Sequence, residues 1–313
     1  MTNKKQSAYG GQAIVEGVMF NGKHCTVSAI RRKDNSIDYF TQEKQERPVL
    51  NKLKKVPFLR GLVAIVEASA IGSKHLTFAS DRYDVDPKEE EKVFAEQKQS
   101  KMTLIFGAAF IGIISFIFAK LVFTGLPAIV AHTLKPIDIF SGHIAQNLVE
   151  GAIKFIFLLG YIYFISLTPL IKRVFQYHGA EHMVINAYEA KVPLTIKNVQ
   201  NQSRLHYRCG SSFILFTVIV GIFIYLFVPS DPLLVRLAYR VALIPVVLGV
   251  AFEFLQLTNK LREVPVLRFI GYPGLWLQLL TTKKPDDDQV EVAIASFNKM
   301  LSLENELRDE KAV

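Results

Sequence analysis

At 313 residues the chain is long enough for two soluble domains, and half of it is hydrophobic against 21% charged. Its formal charge of +9 is not laid out as a basic stripe interleaved with aromatics, so no nucleic-acid partner is expected. The apolar residues are clustered, which argues against two soluble domains and for a protein of the bilayer.

The start, MTNKKQSAYGGQAIVEG, is basic but lacks the apolar core of a cleavable signal peptide. Residues 1–57 read as a small β element. GQAIVEGVMF, KHCTVSAIRR and SIDYFTQE are its three strands, with turns at Asn21-Gly22 and Asp34-Asn35. Gly10, Gly11 and Gly17 surround the first strand and signal close backbone packing. A three-stranded meander is too small to be stable alone, so it is expected to dock on the 172–210 loop. Glu16 is a lone carboxylate among apolar neighbours that either pairs with an arginine or points to solvent. Residues 58–102 follow as an interfacial helix over 58–80, interrupted by Arg60, Glu67, Lys74 and His75, and a charged connector.

The membrane domain is placed at 103–257. Its four apolar runs, 103–123, 151–171, 211–228 and 238–257, are each long enough to cross a hydrocarbon core of about 30 Å at about 1.5 Å per helical residue. FIFLLGYIYFISLTPLI and FILFTVIVGIFIYLFV show no polar stripe of the kind a soluble amphipathic helix carries. Basic residues orient them. The 172–210 loop holds Lys172, Arg173, Lys191, Lys197, Arg204 and Arg208, whereas 124–150 and 229–235 hold only Lys135. The positive-inside rule then puts the loop and both termini in the cytoplasm, in a multi-pass protein of the cytoplasmic membrane. Its basic face would favour an anionic leaflet. Cys25 and Cys209 fall on that reducing side, each a free thiol or a ligand rather than a disulfide pair. Among charges at span ends or inside spans, Glu150, Lys154 and Arg240 can snorkel, and Glu253 is the one singled out as functional.

Residues 258–313 begin with VPVLRFIGYPGLWLQLLTTKKP, apolar but broken by proline and glycine, which reads as re-entrant or interfacial with Tyr272 and Trp276 at headgroup level. A final amphipathic helix, capped from 286–288, buries Val290, Ala293, Ile294, Phe297 and Leu301 on one face.

The chemistry concentrates in the loop between the second and third runs. In HGAEH, His178 and His182 lie about 40° apart on a helix, and Glu181 is one turn from His178. The spacing HxxEH is that of inverzincin metalloproteases, two ligands and a general base. His206 and Cys209 in HYRC, just before the third run, supply two more donors of the softness zinc prefers. The competing reading makes the histidines interfacial anchors and Cys209 an ordinary small residue. Gly179 inside the stretch costs about 1 kcal/mol against alanine in a regular helix. Glu189 and Arg208 are further candidates, Glu189 reading as a solvated helix residue.

Four blocks, GGQAIVEGVM, YHGAEH…INAYE, RCGSSF and PGLWLQLLTT, run in an order that resembles the YqhQ-like bacterial membrane proteins, described as a domain of unknown function or as predicted metal-dependent enzymes. This chain has Met183, Tyr207 and Ser211 where that pattern often has lysine, proline and threonine. The expectation is an α-helical polytopic membrane protein with four transmembrane helices, a small N-terminal β element and a cytoplasmic cap. A divalent metal, zinc by donor type, would sit on His178, His182 and one of His206 or Cys209, with Glu181 as the base of a hydrolytic reaction. The alternative is a non-catalytic scaffold or assembly factor. Its partners would be the lipid bilayer, another membrane protein or a second copy of itself.

Overall fold

A computed structural model describes residues 9–45, 48–90, 114–115, 118–119, 121–229, 232–261 and 264–310. The N-terminal element is an antiparallel meander in the order β1 (Gly10–Ile14), β2 (Gly17–Asn21), β3 (Cys25–Arg31) and β4 (Ile37–Glu43). It has four strands where the sequence suggested three. GQAIVEGVMF folds back on itself, because Val15 and Glu16 make a two-residue turn between the paired Ile14 and Gly17. Glu16 takes a φ of 50° there, a conformation that alternating hydrophobicity does not reveal. Gly17 is required by packing: a Cβ would lie 2.1 Å from the Ala29 carbonyl oxygen.

Strand alternation divides the sheet's side chains between two helical layers. After the sheet come α1 (Pro48–Leu53) and α2 (Leu59–Arg82). After 120 come a π-turn (Leu121–Gly125), α3 (Leu126–Thr133), α4 (Asp138–Ser141), α5 (His143–Ile165), α6 (Pro169–Glu189) and α7 (Ile196–Gln200). The chain ends with α8 (Ser211–Tyr225), α9 (Leu233–Ala242), α10 (Ile244–Leu261), a 3-10 turn (Leu267–Gly271), α11 (Tyr272–Thr281) and α12 (Asp287–Glu310). Val18, Phe20, Cys25, Val27 and Ala29 pack on α6 and α12, against Tyr177, Ala180, Val184, Val290, Ala293 and Phe297. The opposite face carries Ile14, Ile30, Thr26 and Ser28 toward Phe78 and His75 of α2. Phe297 meets Tyr9, Phe20 and Tyr188 edge-on, with centroids 4.9–5.5 Å apart. Burying a ring of this size stabilises the fold by about 2–3 kcal/mol and ties the two ends of the chain into one core.

Among the described residues, three helices are long and apolar enough to cross a membrane: α2, α5 and α10. The first run, 103–123, lies mostly outside the described residues. The second was set at 151–171, but α5 occupies 143–165, and Pro169 opens α6 instead of continuing the run. Proline lacks the N–H that a helix interior needs and is tolerated in the first turn. The fourth run is divided at Leu243 for the same reason, with Pro245 in the first turn of α10. At 15 residues α8 is only about 22 Å long. The segment read as an interfacial helix over 58–80 is a continuous 24-residue helix with two roles. Its start lies beside α10, where Gly61 fits against Phe252 and Arg60 pairs with Glu253; its end packs on the sheet.

Candidate metal centre

Helix α6 brings His178 and His182 onto one face, four residues apart, with ring centroids separated by 4.4 Å. The chain after α11 crosses this helix at Gly179, where a Cβ would lie 2.1 Å from the Lys283 carbonyl oxygen. Lys283 N–H donates to the Phe175 carbonyl at 2.8 Å at the same crossing. The helix is regular, so the glycine's lower propensity is exchanged for close backbone approach. That approach delivers the Thr281 carbonyl to His178.

The imidazole tautomers follow from their partners. His178 Nδ1 is 2.8 Å from the Thr281 carbonyl and His182 Nδ1 is 2.7 Å from the Arg204 carbonyl. A carbonyl only accepts, so each Nδ1 carries the proton and each Nε2 presents a lone pair. This is how ligand histidines are commonly held by outer partners. His178 Nε2 lies 3.2 Å from Cys209 Sγ. One ligand atom from each of His178, His182 and Cys209 falls within 4.8 Å of the others. Tetrahedral zinc with bonds of about 2.0–2.3 Å sets ligand atoms about 3.5 Å apart, so the loosest pair would close by about 1 Å.

Whether these residues fit a cation is a matter of donor arithmetic. Two imidazole lone pairs converge on one thiol, which has a single proton to share. A metal ion with a thiolate satisfies all three at once. Cys209 precedes α8, and its Sγ lies 3.0 Å from Ser211 Oγ and 3.4 Å from the Ser211 N–H. Burial holds His182 below the ordinary imidazole range, in the neutral form that a ligand requires.

His206 falls outside this trio. Gln278, fully buried, accepts from its backbone N–H at 2.8 Å and donates to its carbonyl at 2.8 Å, clamping the loop. The His206 ring is 5.7 Å from that of His182, yet its Nε2 lies 3.8 Å from Glu189 Oε1. Glu189 is therefore no solvated helix residue. The facing His206 imidazole, with the Arg208 guanidinium beside it, lowers its carboxyl to about 2. Glu181 is 5% exposed and turned toward β1, where a Cβ on Gly11 would come within 3.0 Å of its carboxyl carbon. Burial raises it to about 7, opposed by His178 and by the Gly11 N–H that it accepts.

The remaining candidates are structural ties. Arg173 grips Glu16 with two bonds of 2.5 Å, and the Tyr177 hydroxyl adds a third at 3.2 Å. Glu253 accepts from Arg60 Nε and Nη2 and from the Phe58 N–H. Glu150 and Arg240 do not snorkel; they are 1% and 3% exposed and paired. Sequence reasoning missed Gln278, Thr281 and Arg204. Gln278, a lone amide among leucines in GLWLQLL, is the one that left a signal; the other two act through backbone carbonyls.

The site lies inside residues 56–303, which match the family described as "Protein of unknown function (DUF1385)". The chain is also similar to the uncharacterized protein YqhQ of Bacillus subtilis (strain 168), 62% identical over 303 residues that cover 96% of this chain and 95% of that protein. No solved structure matches it. With most of its length matched to one family and a relative aligned nearly end to end, the chain belongs to the DUF1385 family, among YqhQ-like proteins.

Proposed function

We propose that the chain is an integral protein of the cytoplasmic membrane whose cytoplasmic face carries a hydrolytic metal centre, with zinc favoured by its two imidazoles and a thiolate. The carrying observation is the convergence of His178 Nε2, His182 Nε2 and Cys209 Sγ, both rings braced by backbone carbonyls. Membrane placement is supported by long apolar helices with large side chains facing outward, among them Ile156 and Phe164 at 64% and 69% exposure. An even number of crossings would keep both termini and the 172–210 loop on the cytoplasmic side.

Zinc, if held by His178, His182 and Cys209, would supply Lewis acidity and acidify water at the site. Glu181, one turn from His178, takes the proton of the attacking water and passes it to the leaving group. The Gly11 N–H orients that carboxylate, so the N-terminal strand is part of the site.

Cobalt substitution tests the ligand set without a substrate. Stripped protein reloaded with Co(II) is expected to show a thiolate-to-cobalt charge-transfer band that Cys209→Ser abolishes and Glu181→Gln retains. Absence of that band in the wild type, or its persistence in Cys209→Ser, would remove the metal centre. The reading left would be a non-catalytic scaffold, for which the Glu16–Arg173 and Glu189–Arg208 ties speak.

A further inference from the structure

A second polar group lies at the other end of α5. Glu150, Arg236 and Arg240 are 1%, 1% and 3% exposed. Arg236 Nη2 is 2.5 Å from one Glu150 oxygen, and Arg240 Nη1 bonds the other. Arg240 also donates to Asn147 Oδ1 at 2.8 Å, and Arg236 to Gln146 at 3.4 Å. Among the described residues, Glu150 is the carboxylate that both guanidiniums contact, so two buried positive charges share one negative charge. Such an excess is costly away from water unless something anionic completes it. Basic residues are also least expected here. His143 at the start of α5 meets the Leu226 carbonyl just past α8, so this end lies away from the cap, where the positive-inside bias disfavours arginine.

The excess charge borders a cavity of about 370 Å³. Arg240 lies over the Tyr225 ring at 4.6 Å and Lys154 Nζ is 6.0 Å from the same ring; all three line the cavity. Its other walls include Leu237, Ile244 and Leu248. A cationic pole beneath apolar walls is complementary to a molecule with an anionic head and a hydrocarbon tail.

We propose that this cavity binds an anionic amphiphile of the phospholipid type, its phosphate between Lys154 and Arg240 and its chain along Leu237, Ile244 and Leu248. The proposal takes the membrane placement from the preceding section and is independent of the metal centre. Native mass spectrometry of the full chain in non-ionic detergent tests it, with titrations of phosphatidylglycerol, phosphatidylcholine of the same chains, and inorganic phosphate. One phosphatidylglycerol should be retained about tenfold more strongly than phosphatidylcholine. That preference should fall about fivefold in Lys154→Gln, which leaves the Glu150 pairs intact, and in Thr124→Glu, which adds a carboxylate to the cavity wall. Melting temperature separates lost preference from lost fold, and either folded variant suffices. Equal retention of the two lipids, an unchanged preference in the variants, or displacement by phosphate at equal concentration (an adventitious ion only) overturns the proposal. Recovery of the chain from the soluble fraction would instead remove the membrane premise, and the proposal with it.

Discussion

Glu189 ends α6 half-buried between Arg208 and His206, and its lowered carboxyl makes the tie sensitive to pH. A depressed folded-state value means stability that is present above the unfolded carboxylate range, about 4.3, and lost as pH falls toward about 2. Glu189→Gln should therefore melt below the wild type at pH 7, and the gap should narrow steadily below about pH 4.5. Parallel melting curves across that range would contradict the pairing. Residue identity alone did not disclose this. NAYEA reads equally well as a solvated helix end, since its partners lie 17 and 19 positions away, across a loop whose path the amide of Gln278 sets. His178 and His182 were legible because their spacing is local. That Cys209 completes the trio while His206 turns to Glu189 depends on how the 201–210 loop is clamped, which no spacing encodes.

At the level of elements, the crossing of α6 by the chain after α11 holds the site together. Gly179→Ala would push a methyl group against the Lys283 carbonyl, at 2.1 Å before relaxation. The backbone must shift, and overpacking of this kind typically costs about 1–3 kcal/mol. The same shift draws the Thr281 carbonyl from His178 Nδ1, so metal affinity should drop about 10–100-fold, as for the loss of an outer partner. Thermal unfolding with a competitive zinc chelator measures both; a variant as stable and as tightly loaded as the wild type would refute the role given to the crossing. Hydrophobic periodicity found the helices but misplaced their ends. Pro169 and Pro245 sit within apolar runs, and a proline that starts a helix looks the same in hydropathy as one that interrupts it. The extra strand was hidden similarly, since Glu16 turns the chain with a positive φ that carries no glycine signature.

For the whole molecule, the sheet, α6 and α12 form one core, and the long apolar helices form another layer reached through α5, α8 and α10. Run length and the loop bias in basic charge were enough to suggest this division from sequence, because both are sums over many residues. The docking of the chain's two ends through Phe297 was not, since its partners Tyr9 and Phe20 lie hundreds of positions away. Topology is tested by single-cysteine variants in intact cells. An impermeant thiol reagent should label a cysteine at Ser141 and spare one at Asn201; the reverse pattern would invert the protein. The central claim, a metal ion on His178, His182 and Cys209, is tested most directly by the metal content of the purified full-length chain. The wild type should carry about one equivalent of zinc per chain and the folded His178→Ala, His182→Ala variant should lose it. A metal-free wild type, or equal zinc in both proteins, would contradict it.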